Sequence, residues 1–121
     1  MGRDFKKITA WQLADKLALE IYKASKTFPK EELYGIISQI RRAAMSVPTN
    51  IAEGSGRKSD KEYARFLYIA KASLLEVEYL LFLSKNLSYL NSDDYIALEN
   101  LRVESIKTLQ GLINVLEKAR V

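Results

Sequence analysis

The sequence contains no cysteine and no histidine, and it has only five glycines and two prolines in 121 residues. Without cysteine there is no disulfide, thiolate ligand or thiol nucleophile, and without histidine the commonest general base is missing. So few turn-forming residues disfavour a fold made of many short β-strands. We therefore expect no enzymatic activity, no metal and no cofactor.

Long apolar runs are absent as well. No stretch approaches the roughly 18 apolar residues that a membrane-spanning helix needs. The charged start, Met1–Lys7, is not followed by the apolar segment of a signal peptide. At 48% hydrophobic residues, the chain is nevertheless apolar enough to fill a core without cross-links. We expect one cytoplasmic domain, residues 1–121, with no membrane contact.

Apolar residues recur at spacings of three and four in four segments, which is typical of amphipathic helices. The predicted helices span about residues 10–27, 31–54, 60–88 and 93–118. Because the breaks between them are short, consecutive helices must run antiparallel. The sequence thus predicts an all-α fold, an antiparallel up-down-up-down four-helix bundle.

Helix ends are predicted from local capping signals. Thr9 with Gln12, and Ser59 with Glu62, have the spacing of capping boxes. A further break and cap is expected at residues 91–94. The segment 54–56, Gly-Ser-Gly, is expected to end the second helix with a glycine in the left-handed conformation.

The second helix carries polar residues on the face opposite its apolar stripe, at spacings of three and four. This stripe favours either a binding site or a polar ladder between helices. A turn near residues 57 and 58 places Arg42 near Glu76 of the third helix, which predicts an ion pair between them. The five polar residues of the stripe are Gln39, Arg42, Ser46, Asn50 and Glu53.

Positive charge is concentrated in the first half of the chain. The net charge is +4, and residues 1–65 carry 13 basic and eight acidic side chains. Four cations, Arg57, Lys58, Lys61 and Arg65, surround the predicted turn between the second and third helices. They are interpreted either as an ordinary solvated turn or as a nucleic-acid contact, with Arg41 as a further candidate.

Apolar residues outside the core stripes indicate a second buried surface. They lie on the first, third and fourth helices, and an apolar stripe wider than one core face often marks a subunit interface. We therefore expect a homo-oligomer. The residues are Leu13, Leu19, Tyr22, Ile69, Leu75, Leu80, Phe82 and Val103.

Three motifs resemble a known family. They are Trp11-Gln12-Leu13-Ala14, the segment 28–35 with Phe-Pro-x-x-Glu-Leu-Tyr-Gly, and the segment 39–54. The last contains Gln-Ile-Arg-Arg-Ala-Ala and Asn-Ile-Ala-Glu-Gly. Together with the third-helix run Phe66–Glu76, they resemble the four-helix bundle proteins encoded in intervening sequences of bacterial 23S rRNA genes, also called the S23 family.

The resemblance implies a ring of bundles, typically a homopentamer with a central channel, and no enzymatic activity. It also implies binding to intervening or ribosomal RNA. A similar branch, the accessory variability determinants of diversity-generating retroelements, binds a reverse transcriptase and nucleic acid, so a protein partner is an alternative; a purely structural oligomer is another. The matching signature positions, without assigned chemistry, are Arg41, Arg42, Asn50, Glu53, Gly54 and Glu76.

Overall fold

The computed structural model describes residues 3–118, and these form four long helices. They are α1 (Thr9–Ser25), α2 (Ser38–Ser55), α3 (Asp60–Asn86) and α4 (Ser92–Lys118). A single 3₁₀ turn, Phe5–Lys7, precedes α1. No strand occurs in the described part of the chain.

Each helix packs against the helices before and after it, and α4 also closes back onto α1. Since the connections are short, neighbouring helices run antiparallel, with the start of α1 and the α2–α3 turn at one end. The predicted all-α four-helix fold is confirmed.

The core is one continuous cluster along the bundle axis. Its largest fully buried side chains include Tyr63, Leu17, Leu74 and Leu109. In α4, however, the buried stripe passes through Arg102 and Ser105, whereas Leu101 and Leu112 are only partly buried. Two polar residues therefore occupy buried positions on this face, although Leu101 and Leu112 also have the helical spacing of core residues.

The entry into the second helix departs from the predicted continuous helix 31–54. A 3₁₀ turn, Lys30–Glu32, and a π-helical segment, Leu33–Ile37, come before α2. Within that segment Gly35 leaves helical geometry, with φ −109° and ψ −117°. Leu33 has the spacing of the apolar stripe of the predicted helix, but in this irregular segment it is 49% exposed.

Side-chain caps confirm two of the predicted helix starts and correct two other predictions. Ser59 Oγ accepts from the backbone N–H of Glu62, and Asn91 Oδ1 accepts from that of Asp94. Thr9 is not a cap: Ile8 takes that position, and the side chain of Gln12 instead donates to the carbonyl of Lys6. Nor does a left-handed glycine end α2, because Gly56 has φ −89°.

Pro48 lies inside α2, where it has no N–H to donate to the preceding turn. Two carbonyls just before it accept from side chains: Thr49 Oγ1 donates to Met45 and Asn50 Nδ2 donates to Ser46, each at 2.8 Å. These bonds supply donors to the backbone beside the proline, and α2 continues through it.

Candidate nucleic-acid interface

The turn between α2 and α3 brings the four predicted cations together. α2 ends at Ser55, the cap Ser59 starts α3 at Asp60, and only four residues separate the two helices. Arg57, Lys58, Lys61 and Arg65 are all exposed on this turn and on the first turns of α3.

An aromatic ring orders two of these cations. The guanidinium carbon of Arg57 lies 4.6 Å from the centroid of the Phe66 ring, and that of Arg65 lies 5.9 Å from it. Contact with an aromatic face holds a guanidinium without neutralising it. Both arginines therefore keep donors available for an anion.

Arg3 also reaches this turn. Its guanidinium donates to the carbonyl of Ser55 at 3.1 Å and to Asp60 Oδ1 at 3.2 Å, and lies 4.6 Å from the centroid of the Tyr63 ring. Burial raises the pKa of Tyr63, and the Arg3 cation opposes that shift. No local pattern could have revealed Arg3, which is more than 50 residues from its partners; only the bundle topology brings it here.

We call this end of the molecule, residues 3–8 and 53–65, the basic end. It carries seven cations and four carboxylates. The carboxylate of Asp60 is paired with Arg3, and among the described residues no acidic group lies within 4 Å of the four turn cations. The basic end thus presents a net positive surface with unpaired donors.

Arg41 does not belong to this surface. It lies near the start of α2, about 24 Å along the helix from Arg57 at 1.5 Å per residue. Its Nε donates to Ser25 Oγ at 2.8 Å and its Nη2 to the carbonyl of Tyr22 at 3.3 Å, and its guanidinium rests 4.9 Å from the Tyr22 ring centroid. Arg41 therefore ties α2 to the last turn of α1.

The polar stripe of α2 forms a ladder with α3. The hydroxyls of Ser46 and Ser73 are hydrogen-bonded at 2.9 Å, and Asn50 Nδ2 donates to Ser46 Oγ at 3.0 Å. The predicted ion pair with Glu76 is wrong, because Arg42 donates to Gln39 on its own helix. The Ser46–Ser73 contact places α3 about one turn away from the predicted register.

Gly54 explains that register. A Cβ at this position would lie 2.8 Å from Phe66 Cβ, closer than real Cβ atoms approach, and in a tight contact of 3.0 Å with the Tyr63 ring. Helices α2 and α3 therefore meet where Gly54 has no side chain. Glu53, its neighbour in the signature, is exposed and makes no ion pair with the described residues.

A buried charge that the sequence analysis missed lies between α3 and α4. Arg102 is 5% exposed and donates to Glu99 on α4 and to Glu78 on α3, the latter at 3.1 Å. The hydrogen bond to Glu99 raises the pKa of Arg102. The sequence signal was a charged residue interrupting the apolar stripe between Leu98 and Leu109.

The described residues lack two other kinds of functional feature. No cluster of three or more acidic groups is placed to hold a metal ion. No described helix is long and apolar enough to cross a membrane.

The family to which this chain is similar agrees with its helical fold. Residues 6–111 match the model of the 23S rRNA-intervening sequence protein family. The chain belongs to this family of helical bundle proteins. No curated protein matches it significantly.

A solved structure has the same fold. It is a protein of unknown function from the S23 ribosomal protein family of Bacteroides thetaiotaomicron, 25% identical to this chain with a TM-score of 0.78. The alignment covers 87% of this chain and 98% of that one.

Proposed function

We propose that this protein is a non-catalytic, homo-oligomeric, cytoplasmic bundle that binds RNA through its basic end. The observation that carries the proposal is the set of four exposed cations at the α2–α3 turn, none of which has an acidic partner among the described residues. Phosphate contacts by such cations provide most of the affinity of non-specific nucleic-acid binding.

The arrangement of the cations suits a single-stranded ligand. The guanidinium groups of Arg57 and Arg65 are held near the Phe66 ring and remain exposed. Planar guanidinium groups bind phosphate through two donors and also stack on unpaired bases. The family description, which refers to an intervening sequence of 23S rRNA, favours RNA as the nucleic acid.

Self-association is supported by the outer face of α3. Leu75, Tyr79 and Phe82 are 51%, 59% and 50% exposed on neighbouring turns of this face. Large apolar side chains clustered in this way mark interaction surfaces. Repetition of the basic end in an oligomer would add weak single contacts into a stronger one.

The test measures binding of a fluorescently labelled 20-nucleotide single-stranded RNA by anisotropy at low salt. One variant replaces Arg57, Lys58, Lys61 and Arg65 with Ala. The matched control replaces four exposed lysines outside the basic end, Lys26, Lys30, Lys85 and Lys107, so that both variants lose the same charge. Circular dichroism and light scattering establish that both retain their fold and mass.

We expect the first variant to bind at least about tenfold more weakly and the control to stay within about threefold of the unmodified protein. Equal weakening of both variants would show that net charge alone governs binding. Undetectable binding by the unmodified protein would contradict an RNA-binding role and leave a protein partner or a structural oligomer.

A further inference from the structure

The outer face of α3 carries a regular ridge, which we call the α3 ridge. Its residues are spaced four, three, four and three apart, the heptad spacing by which one helix packs along another. They point away from the core, where Leu74, Val77 and Leu81 are buried. The ridge consists of Tyr68, Ala72, Leu75, Tyr79 and Phe82.

A groove of about 630 Å³ runs between α1 and α4. Small side chains, Ala24 on α1 and Ala97 on α4, line it, so the two helices leave space between them. One side is formed by α1 from Lys16 to Ala24, together with Thr27 just after the helix, and the other by α4 from Asp94 to Glu104. We call it the α1–α4 groove.

We propose that the α3 ridge of one copy of this protein packs into the α1–α4 groove of the next copy. The proposal rests on the self-association stated under the proposed function and identifies the surfaces that form it. Because the ridge and the groove are different surfaces, the contact is heterologous, and each copy has one of each.

The two surfaces lie at the same height along the bundle. The Arg102–Glu78 ion pair fixes the antiparallel alignment of α4 and α3. We count residues in opposite directions along α4 and α3 from that pair. Residues 94–104 of α4, which line the groove, then lie at the same height as residues 76–86 of α3. This part of α3 includes Tyr79 and Phe82. A heterologous contact closes into a ring only when successive copies are related by rotation without a shift along the axis.

Their positions around the bundle also favour closure. The α3 ridge lies toward α4, because Tyr68 donates to Glu117 of α4 and because Leu75, Tyr79 and Phe82 line a shallow depression with Tyr95 of α4. The groove lies on the other side of α4, so the two surfaces are on adjacent sides of the bundle and not on opposite ones. Contacts repeated through adjacent sides turn each copy relative to the last. Contacts through opposite sides would instead extend a straight filament.

Charge at one end of the contact is complementary. Antiparallel packing puts Lys16 beside Glu104, and Glu104 is level with Glu76. Lys16 and Glu76 are both exposed, and neither makes an ion pair within the described residues. In the proposed contact, Lys16 of one copy lies between its own Glu104 and Glu76 of the next.

Cysteine cross-linking tests the contact. The chain has no native cysteine, so every disulfide that forms involves an introduced residue. The two substitutions are Tyr79→Cys on the ridge and Asn100→Cys in the groove. By the same residue count along α3 and α4, the two positions differ in height by no more than one residue. The double variant and both single variants are oxidised and separated on a non-reducing gel. Light scattering of the unoxidised proteins gives their oligomeric state, and RNA titrations are run separately.

We expect the double variant to form a ladder of covalent multimers and both single variants to remain monomers on the gel. A covalent dimer from Tyr79→Cys alone would mean that α3 ridges face each other, which overturns the proposal. An oligomer that forms no ladder would overturn it as well. A monomer in light scattering would remove self-association itself, whereas failure to bind RNA leaves the interface untouched.

A charge swap gives a second test that does not depend on disulfide geometry. Glu76→Lys alone and Lys16→Glu alone should each weaken assembly, and the double swap should restore it at least in part. Val115→Lys is the control, since Val115 is 65% exposed on α4 outside both surfaces. Equal weakening by Val115→Lys, or no restoration in the double swap, would contradict the pairing.

Discussion

The two ends of the bundle contain the same kinds of elements but differ in charge. The basic end has the α2–α3 turn and the segment before α1; the opposite end has the α1–α2 connection and the α3–α4 turn. Residues 23–33 and 85–95 of the opposite end carry four cations and four carboxylates, whereas the basic end carries seven and four. One end is therefore neutral and the other has a net charge of +3.

The ends also differ in how their charged groups are used. At the neutral end Glu32 accepts a hydrogen bond from the Tyr89 hydroxyl at 2.8 Å, and Lys85 lies 4.9 Å from the centroid of the Tyr95 ring. Arg41 ties helices together nearby. Among the described residues of the basic end, Arg3 is the cation with hydrogen bonds and an ion pair. Arg57 and Arg65 contact the Phe66 ring, which leaves their charge unneutralised. The basic end therefore has a surplus of cations over carboxylates, on which the proposed RNA binding rests.

The largest expected effect comes from reversing charge at one end at a time. Lys58→Glu with Lys61→Glu should weaken RNA binding about 100-fold, because phosphate contacts are replaced by repulsion. Lys26→Glu with Lys30→Glu makes the same change in net charge at the neutral end and should weaken RNA binding by less than about threefold. Electrophoretic mobility shifts with the same RNA measure the affinity of both double variants. Equal losses of affinity would contradict a functional difference between the two ends.

The next effect tests the close packing under the basic end. Gly54→Ala should destabilise the fold by about 1 to 2 kcal/mol, since the added methyl overlaps Phe66 while helix propensity recovers part of the cost. Gly111→Ala is the control: nothing lies within 4 Å of its added Cβ, so it should stabilise α4 by about 0.5 to 1 kcal/mol. Urea unfolding measures both, and a stabilising Gly54→Ala would contradict the close approach.

Helix caps offer a smaller and symmetrical comparison. Ser59 caps α3 at the basic end, and Asn91 caps α4 at the neutral end. Replacement of either by Ala should cost about 1 kcal/mol in unfolding free energy. Thr9→Ala should change it by less than about 0.5 kcal/mol, because Thr9 makes no cap. A cost for Thr9→Ala as large as that for Ser59→Ala would reject the assigned start of α1.

The smallest effect is a pH dependence at the neutral end. The hydrogen bond to Glu32, with help from burial, raises the pKa of Tyr89 above its ordinary value of about 10. Between the unfolded and folded pKa values the unfolded chain has lost this proton and the folded chain keeps it, so stability falls as pH rises above about 10. Thermal unfolding at alkaline pH should show a shallower decline in Tyr89→Phe; an unchanged decline would remove Tyr89 as its source.

Local patterns were sufficient to predict the four helices, the Ser59 cap and the cluster at the α2–α3 turn. What they missed depends on distance in the sequence or on packing. Arg3 acts on residues more than 50 positions away, and the register of α2 on α3 depends on the space left by Gly54. The buried Arg102 occupies a core position because Glu99 and Glu78 satisfy it there, a condition that periodicity alone does not reveal.

The most direct test of the central claim is the salt dependence of RNA affinity, compared between the unmodified protein and the variant with alanine at Arg57, Lys58, Lys61 and Arg65. Each phosphate contact to single-stranded nucleic acid contributes about 0.7 to the slope of log affinity against log salt concentration. If the basic end binds the RNA, the slope of the variant should be smaller by about three. An unchanged slope would show that the RNA is bound elsewhere and would contradict the account.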